Sequence, residues 1–187
     1  AVRDEAAADE AIRAVAKRKA TPNIAHKTFM FTDIVGSTNI AAAIGDEAWE
    51  HLLRWHDDTL RAVFVDHGGE VVNSTGDGFF VAFDSTSAAI SCATAVQRAL
   101  AEQRRTHGFA PAVRIGVHSA VATRRGSDYS GKEVHVAARI AALARGGEIL
   151  ASAATASLDE TRPMSEPRSV SLQGVSGDVD LVSIAWN

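Results

Sequence analysis

Two carboxylates, each standing where an apolar run meets a glycine-containing turn, constrain this chain more than any other feature. Asp33 follows Phe31-Thr32 and precedes Ile34-Val35-Gly36-Ser37-Thr38. Asp77 lies in Asn73-Ser74-Thr75-Gly76-Asp77-Gly78-Phe79-Phe80. The second segment reads as a hairpin, because Gly-Asp-Gly between two strand-like runs supplies the turn. Taken singly, each carboxylate has an ordinary reading as a helix cap or a turn residue. A sheet that sets the first strand beside the hairpin brings both to one edge, where they form a hard-oxygen pair suited to Mg²⁺ or Mn²⁺. Gly36-Ser37-Thr38 then opens a helix and offers backbone N–H groups to a phosphate. Metal beside phosphate points to nucleotide chemistry.

The rest of the chain supplies such a sheet. Residues 1–20, rich in Ala, Glu, Arg and Lys, predict a polar helix that Thr21-Pro22-Asn23 ends. Residues 1–26 therefore read as helix and linker, and 27–187 as one domain. A strand is expected over 27–31. Trp49, Leu53, His56, Leu60 and Phe64 keep helical spacing after Gly45-Asp46-Glu47, until His67-Gly68-Gly69 stops the helix. Strands follow over 70–75 and 79–83. Asp84 to Ser87 offer caps for a second helix, with Ala89, Ala93, Val96 and Leu100 as its stripe. A strand over 113–117, a loop over 126–131 and a third helix over 134–144 come next. A strand over 148–151, a short helix over 152–158 and a weak hairpin over 169–172 and 179–184 close the chain. This is an α+β order, a ferredoxin-like βαββαβ core with a C-terminal αβ and hairpin extension.

Further polar residues fit the same chemistry. Lys132, His135 and Arg139 share one face of the third helix, a cationic face open either to solvent or to phosphate and ribose oxygens. Asn73 and Asp128 offer an amide and a carboxylate that can read a purine edge. His56 reads as a packed core residue and His118 as structural. There is no P-loop, no Gly-x-Ser-x-Gly and no zinc spacing. Net charge is −4, which argues against a nucleic-acid partner. The single cysteine, Cys92, excludes an internal disulfide, fits a reducing compartment and sits in an alanine-rich helical pattern as a core residue. No apolar run reaches the roughly 18 residues of a membrane helix, and no signal peptide is visible. The expectation is a cytoplasmic domain. Because the sequence opens at Ala1, it reads as a fragment of a longer protein, and any regulatory domain or membrane anchor would lie outside these residues.

Phe31 to Thr38, Ser74-Thr75-Gly76-Asp77-Gly78 and Gly131-x-x-Val134-x-x-Ala137-Ala138-Arg139-Ile140 resemble the class III nucleotidyl cyclase catalytic domain, in its bacterial, actinobacterial-like form. The resemblance spans about 27–184. It implies conversion of ATP to cyclic AMP and pyrophosphate, with GTP as a side substrate. By motif position, Asp33 and Asp77 would bind two divalent cations, Mg²⁺ or Mn²⁺. Phe31, Ile34, Val35, Gly36, Ser37 and Thr38 would cradle the nucleotide. Arg139 would stabilise the transition state, His135 would orient the ribose, and Asn73 with Asp128 would select the base. The resemblance also implies a head-to-tail homodimer, Asp33 and Asp77 coming from one subunit and Asn73, Asp128, His135 and Arg139 from the other. Three positions depart from the pattern. Asn73 replaces the Lys of adenylyl members, His135 the ribose-orienting Asn, and Gln173 a late phosphate-binding Lys. A slow cyclase is expected, with a silent, dimerising regulatory module as the alternative.

Overall fold

The computed structural model describes residues 23–159 and 161–187. The helix expected over 1–20 lies outside them. Eight strands form one mixed sheet: β1 (Asn23–Ile34), β2 (Glu70–Ser74), β3 (Gly78–Phe83), β4 (Val113–Arg125), β5 (Asp128–Ser130), β6 (Ile149–Ser152), β7 (Arg168–Ser171) and β8 (Asp178–Ser183). Among the described residues the helices are α1 (Ser37–Ile44), α2 (Asp46–Asp66), α3 (Thr86–His107), α4 (Lys132–Leu143) and α5 (Ala153–Ala156). Strand order is β2-β3-β1-β4-β6-β8-β7, with β5 paired to β4. The first four strands, β2-β3-β1-β4, reproduce the ferredoxin-like arrangement, and β6, β8 and β7 are the extension. β4 and β6 run parallel, as the helical crossover between them requires, and the other pairings are antiparallel.

Strand alternation divides the core between the two faces. Met30, Ile34, Phe79, Val81 and Phe83 meet Leu60 and Phe64 of α2 and Ala89, Ala93, Val96 and Leu100 of α3. Phe29, Phe80 and Ala82 point the other way, toward Tyr129 and the Val134 and Ala137 face of α4. All six residues of β3 are buried, because both faces are covered. Cys92 is buried, and Ser85 caps α3 by accepting from the Ala88 N–H at 3.1 Å.

The structure corrects the strand bounds. β1 runs twelve residues, since β4 pairs with it from Asn23↔Arg124 through Ile34↔Val113. Asp33 is thus inside the strand. β4 runs thirteen residues, to Arg125, and turns back as β5. Asp128, expected in a loop, opens that strand. Gly116 seats α4: a Cβ there would lie 2.3 Å from the Ala141 backbone nitrogen, so helix and strand touch through their backbones. Among the described residues no helix is long and apolar enough to cross a membrane.

Candidate active site

Antiparallel register brings the two aspartates together. Asp33 lies opposite Gly78, and the Ile34 N–H donates to the Asp77 carbonyl at 3.2 Å. Gly78 makes the approach feasible, because a Cβ there would stand 2.5 Å from the Thr32 carbonyl oxygen. Thr32 Oγ1 accepts from the Phe79 N–H at 3.2 Å and holds the same junction. The hairpin tip is pinned by the Thr75 N–H, which donates to the Gly78 carbonyl at 3.0 Å.

Two hollows flank this junction and share Thr75. The larger, about 400 Å³, is lined by Ser37, Thr38, Trp49, Leu53, Gly76 and Asp77 among others. It joins the start of α1 to the hairpin, so the phosphate-cradle candidates and the second carboxylate face one space. The smaller, about 200 Å³, holds Phe31, Asp33 and Arg114 beneath Ala138, Ala141 and Ala142 of α4.

Arg114 was not anticipated. It pairs with Asp33 across β1 and β4, and Nε and Nη2 reach Asp33 Oδ2 at 2.8 and 2.5 Å. Its Nη1 also donates to the Ala142 carbonyl at 3.0 Å. Both groups are about a third exposed, at 32% each, so solvent screens the pair. One sequence signal existed: Arg114 is the sole charge in the apolar run Val113 to Val117. A half-buried charge inside a strand calls for a partner.

The remaining candidates divide. Asn73 and Asp128 are exposed, and each folds back on its neighbour. Asn73 Oδ1 accepts from the Ser74 N–H at 2.8 Å, and Asp128 Oδ1 from the Tyr129 N–H at 2.7 Å. Lys132 and His135 lie exposed on α4. Arg139 does not line the hollow that holds Asp33; its Nη2 would stand 3.5 Å from a Cβ on Gly174, beside Gln173 in the β7–β8 turn. One chain therefore brings together Asp33, Asp77 and the start of α1, while Asn73, Asp128, His135 and Arg139 line neither hollow. His118 lies within β4, where Nδ1 meets Ser152 Oγ at 2.8 Å and Nε2 meets Glu133 Oε2 at 3.1 Å, so it ties β6 and the start of α4 to the sheet.

No set of three or more His, Cys, Asp or Glu side chains clusters as a metal site among the described residues. A pair of carboxylates is nevertheless the donor set Mg²⁺ takes when substrate phosphates complete its shell. The residues present fit that kind of cation.

Comparison with known proteins identifies the family. Over 160 residues the chain is 31% identical to an adenylate cyclase of Mycosarcoma maydis, covering 72% of this chain and 6% of that protein. It is 38% identical over 112 residues to putative adenylate cyclase 3 of Rhizobium meliloti, covering 57% of this chain and 19% of that protein. The chain thus spans less than a fifth of the length of either relative. Among solved structures, the adenylyl cyclase CyaB of P. aeruginosa superposes with a TM-score of 0.76 at 24% identity, over 87% of this chain and 95% of that one. The guanylyl cyclase Cya2 gives 0.80 at 23%, over 89% and 94%. These two share the fold, and one is named for each base. The family model for the adenylate and guanylate cyclase catalytic domain matches residues 20–180, a span that takes in β1, the Asp77 hairpin and α4, and the chain belongs to that family.

Proposed function

We propose that the chain is an adenylate cyclase, forming cyclic AMP and pyrophosphate from ATP at the interface of a head-to-tail homodimer. The observation that carries this reading is the β1–β3 register, which sets Asp33 opposite Gly78 and beside Asp77. Asp33 and Asp77 would hold two divalent cations, Mg²⁺ or Mn²⁺. Such a pair, when bound, supplies Lewis acidity to the ribose 3′-hydroxyl and neutralises triphosphate charge. The 3′-hydroxyl gives its proton to solvent and its oxygen bonds to the α-phosphorus, as the bond from that phosphorus to the α,β-bridging oxygen breaks and pyrophosphate leaves. Arg139, from the second subunit, stabilises charge on the α-phosphate. His135 donates to the ribose from an imidazole. Arg114 pairs with Asp33, and its planar fork is of the kind that binds two phosphate oxygens.

The orientation of Asn73 favours ATP. With Oδ1 accepting from the Ser74 N–H, its amide N–H groups point outward as donors. Asp128 presents an acceptor. Adenine offers the matching edge, an acceptor at N1 and a donor at N6. Guanine inverts both, so each group would meet its like.

The test is cyclic-nucleotide production from ATP and from GTP with Mn²⁺, beside Asp33→Ala and Asp77→Ala. Cyclic AMP should exceed cyclic GMP, disappear with chelator and fall at least ~100-fold in each folded variant. Retained activity in Asp33→Ala would remove the metal assignment. A folded dimer that makes neither product with metal present would be the silent regulatory module instead.

A further inference from the structure

Asn73 and Asp128 stand on elements that the sheet order separates: β2 is an edge strand, β5 hangs from β4, and β3 and β1 lie between. One carboxylate joins them. Glu70, on β2, accepts from Tyr129 Oη at 3.0 Å through Oε2 and from Arg124 Nη2 at 2.9 Å through Oε1. Tyr129 directly follows Asp128 and supplies the N–H that holds its carboxylate. Arg124 also donates to the Gly126 carbonyl at 3.1 Å, bracing the turn that carries Asp128. Glu70 thus grips the β4–β5 hairpin from the strand that carries Asn73.

A bulge makes the grip usable. On a regular strand, residues three apart face opposite sides. Here Glu70 pairs with Ala82 and Asn73 with Phe80, which share a face, and the register shifts between Val71 and Asn73. The extra residue turns Asn73 onto the side that Glu70 faces. The cluster is also more than a surface ion pair. Tyr129 is 3% exposed, its ring edge-on to Phe29 at 5.5 Å. The Arg124 guanidinium lies 5.4 Å and the Lys27 ammonium 6.0 Å from its centroid. Burial and the Glu70 carboxylate hold the Tyr129 phenol above its ordinary range, so it remains a donor.

We propose that Glu70, Tyr129 and Arg124 are positioning residues for base recognition, a clasp that fixes the separation of the Asn73 amide and the Asp128 carboxylate and thereby sets purine selectivity. This rests on the reading that those two side chains meet the base. A donor and an acceptor discriminate a purine edge only at one spacing. Loosening the clasp frees the hairpin while leaving the Asp33–Asp77 junction unchanged, so binding and selectivity should suffer more than turnover.

Tyr129→Phe removes one hydroxyl, and Glu70→Gln keeps shape while removing charge. Steady-state kinetics of the full-length homodimer with Mn²⁺, on ATP and on GTP, read the effect. The KM for ATP should rise roughly three- to tenfold, the loss of one part-buried hydrogen bond, with the ATP-over-GTP ratio of kcat/KM falling alongside and kcat changing less. Asp128→Ala reports separately on the base reading and should collapse the ratio. If it does so while Tyr129→Phe and Glu70→Gln keep the original KM and ratio, the clasp is overturned and the base reading stands. If Asp128→Ala leaves the ratio unchanged, the base reading falls and the clasp with it. A loss of kcat alone, with KM and ratio intact, also overturns the clasp. Should either clasp variant not fold, Arg124→Gln loosens its exposed side, with the same expected and overturning outcomes.

Discussion

His56 occupies the core side of α2, fully buried, its ring centroid 6.0 Å from that of Phe79. Neither ring nitrogen meets a hydrogen-bond partner among the described residues. Burial pushes its pKa down to about 4, against the weaker pull of Asp57 and Asp77. The sign follows directly. Below the ordinary pKa of about 6.5, the unfolded chain binds a proton that the native chain refuses, so stability falls as pH drops from about 6.5 toward 4. The full effect is about 3 kcal/mol. Urea unfolding at pH 7 and pH 4.5 should show this loss in the natural chain and a shallower one in His56→Leu; equal losses would remove His56 as the cause. The core placement of His56 was legible from helical spacing with Leu53 and Leu60. The partner of Arg114 was not, because it lies 81 residues away and only the β1–β4 register joins them.

At the scale of elements, the junction of β1 with β3 depends on a missing side chain. Gly78→Ala would place a methyl 2.5 Å from the Thr32 carbonyl oxygen, where backbone must yield. Overpacking of this kind costs about 1–3 kcal/mol. The displacement falls between Asp33 and Asp77, so turnover should drop far more than stability does. Parallel melts and Mn²⁺-supported assays of Gly78→Ala check this; a stable variant of full activity would show that the carboxylate spacing is not set there. The hairpin itself was plain in the sequence, since Gly-Asp-Gly between apolar runs is a local signal. The β2 bulge and β5 were not. A bulge exists only relative to a partner strand, and three residues of β5 carry no periodicity of their own.

For the molecule as a whole, the βαββαβ order was legible because each helix and strand announces itself locally, and that order has few right-handed solutions. What sequence motif order cannot give is which chain completes a site. The structure leaves Arg139 beside Gly174 and outside the lining of the hollow, under Ala138, that holds Asp33. A two-fold, head-to-tail pairing would place each half against its complement. The consequence is quantitative. Asp77→Ala and Arg139→Ala homodimers should each be inactive. In a heterodimer of the two, one site combines the intact Asp77 with the intact Arg139, and the other carries both defects. Random exchange makes about half the dimers mixed, so equal mixing should recover about a quarter of the natural activity per chain. Heterodimers proven by differential tagging, yet with no recovery, would place Asp77 and Arg139 in the same subunit's site.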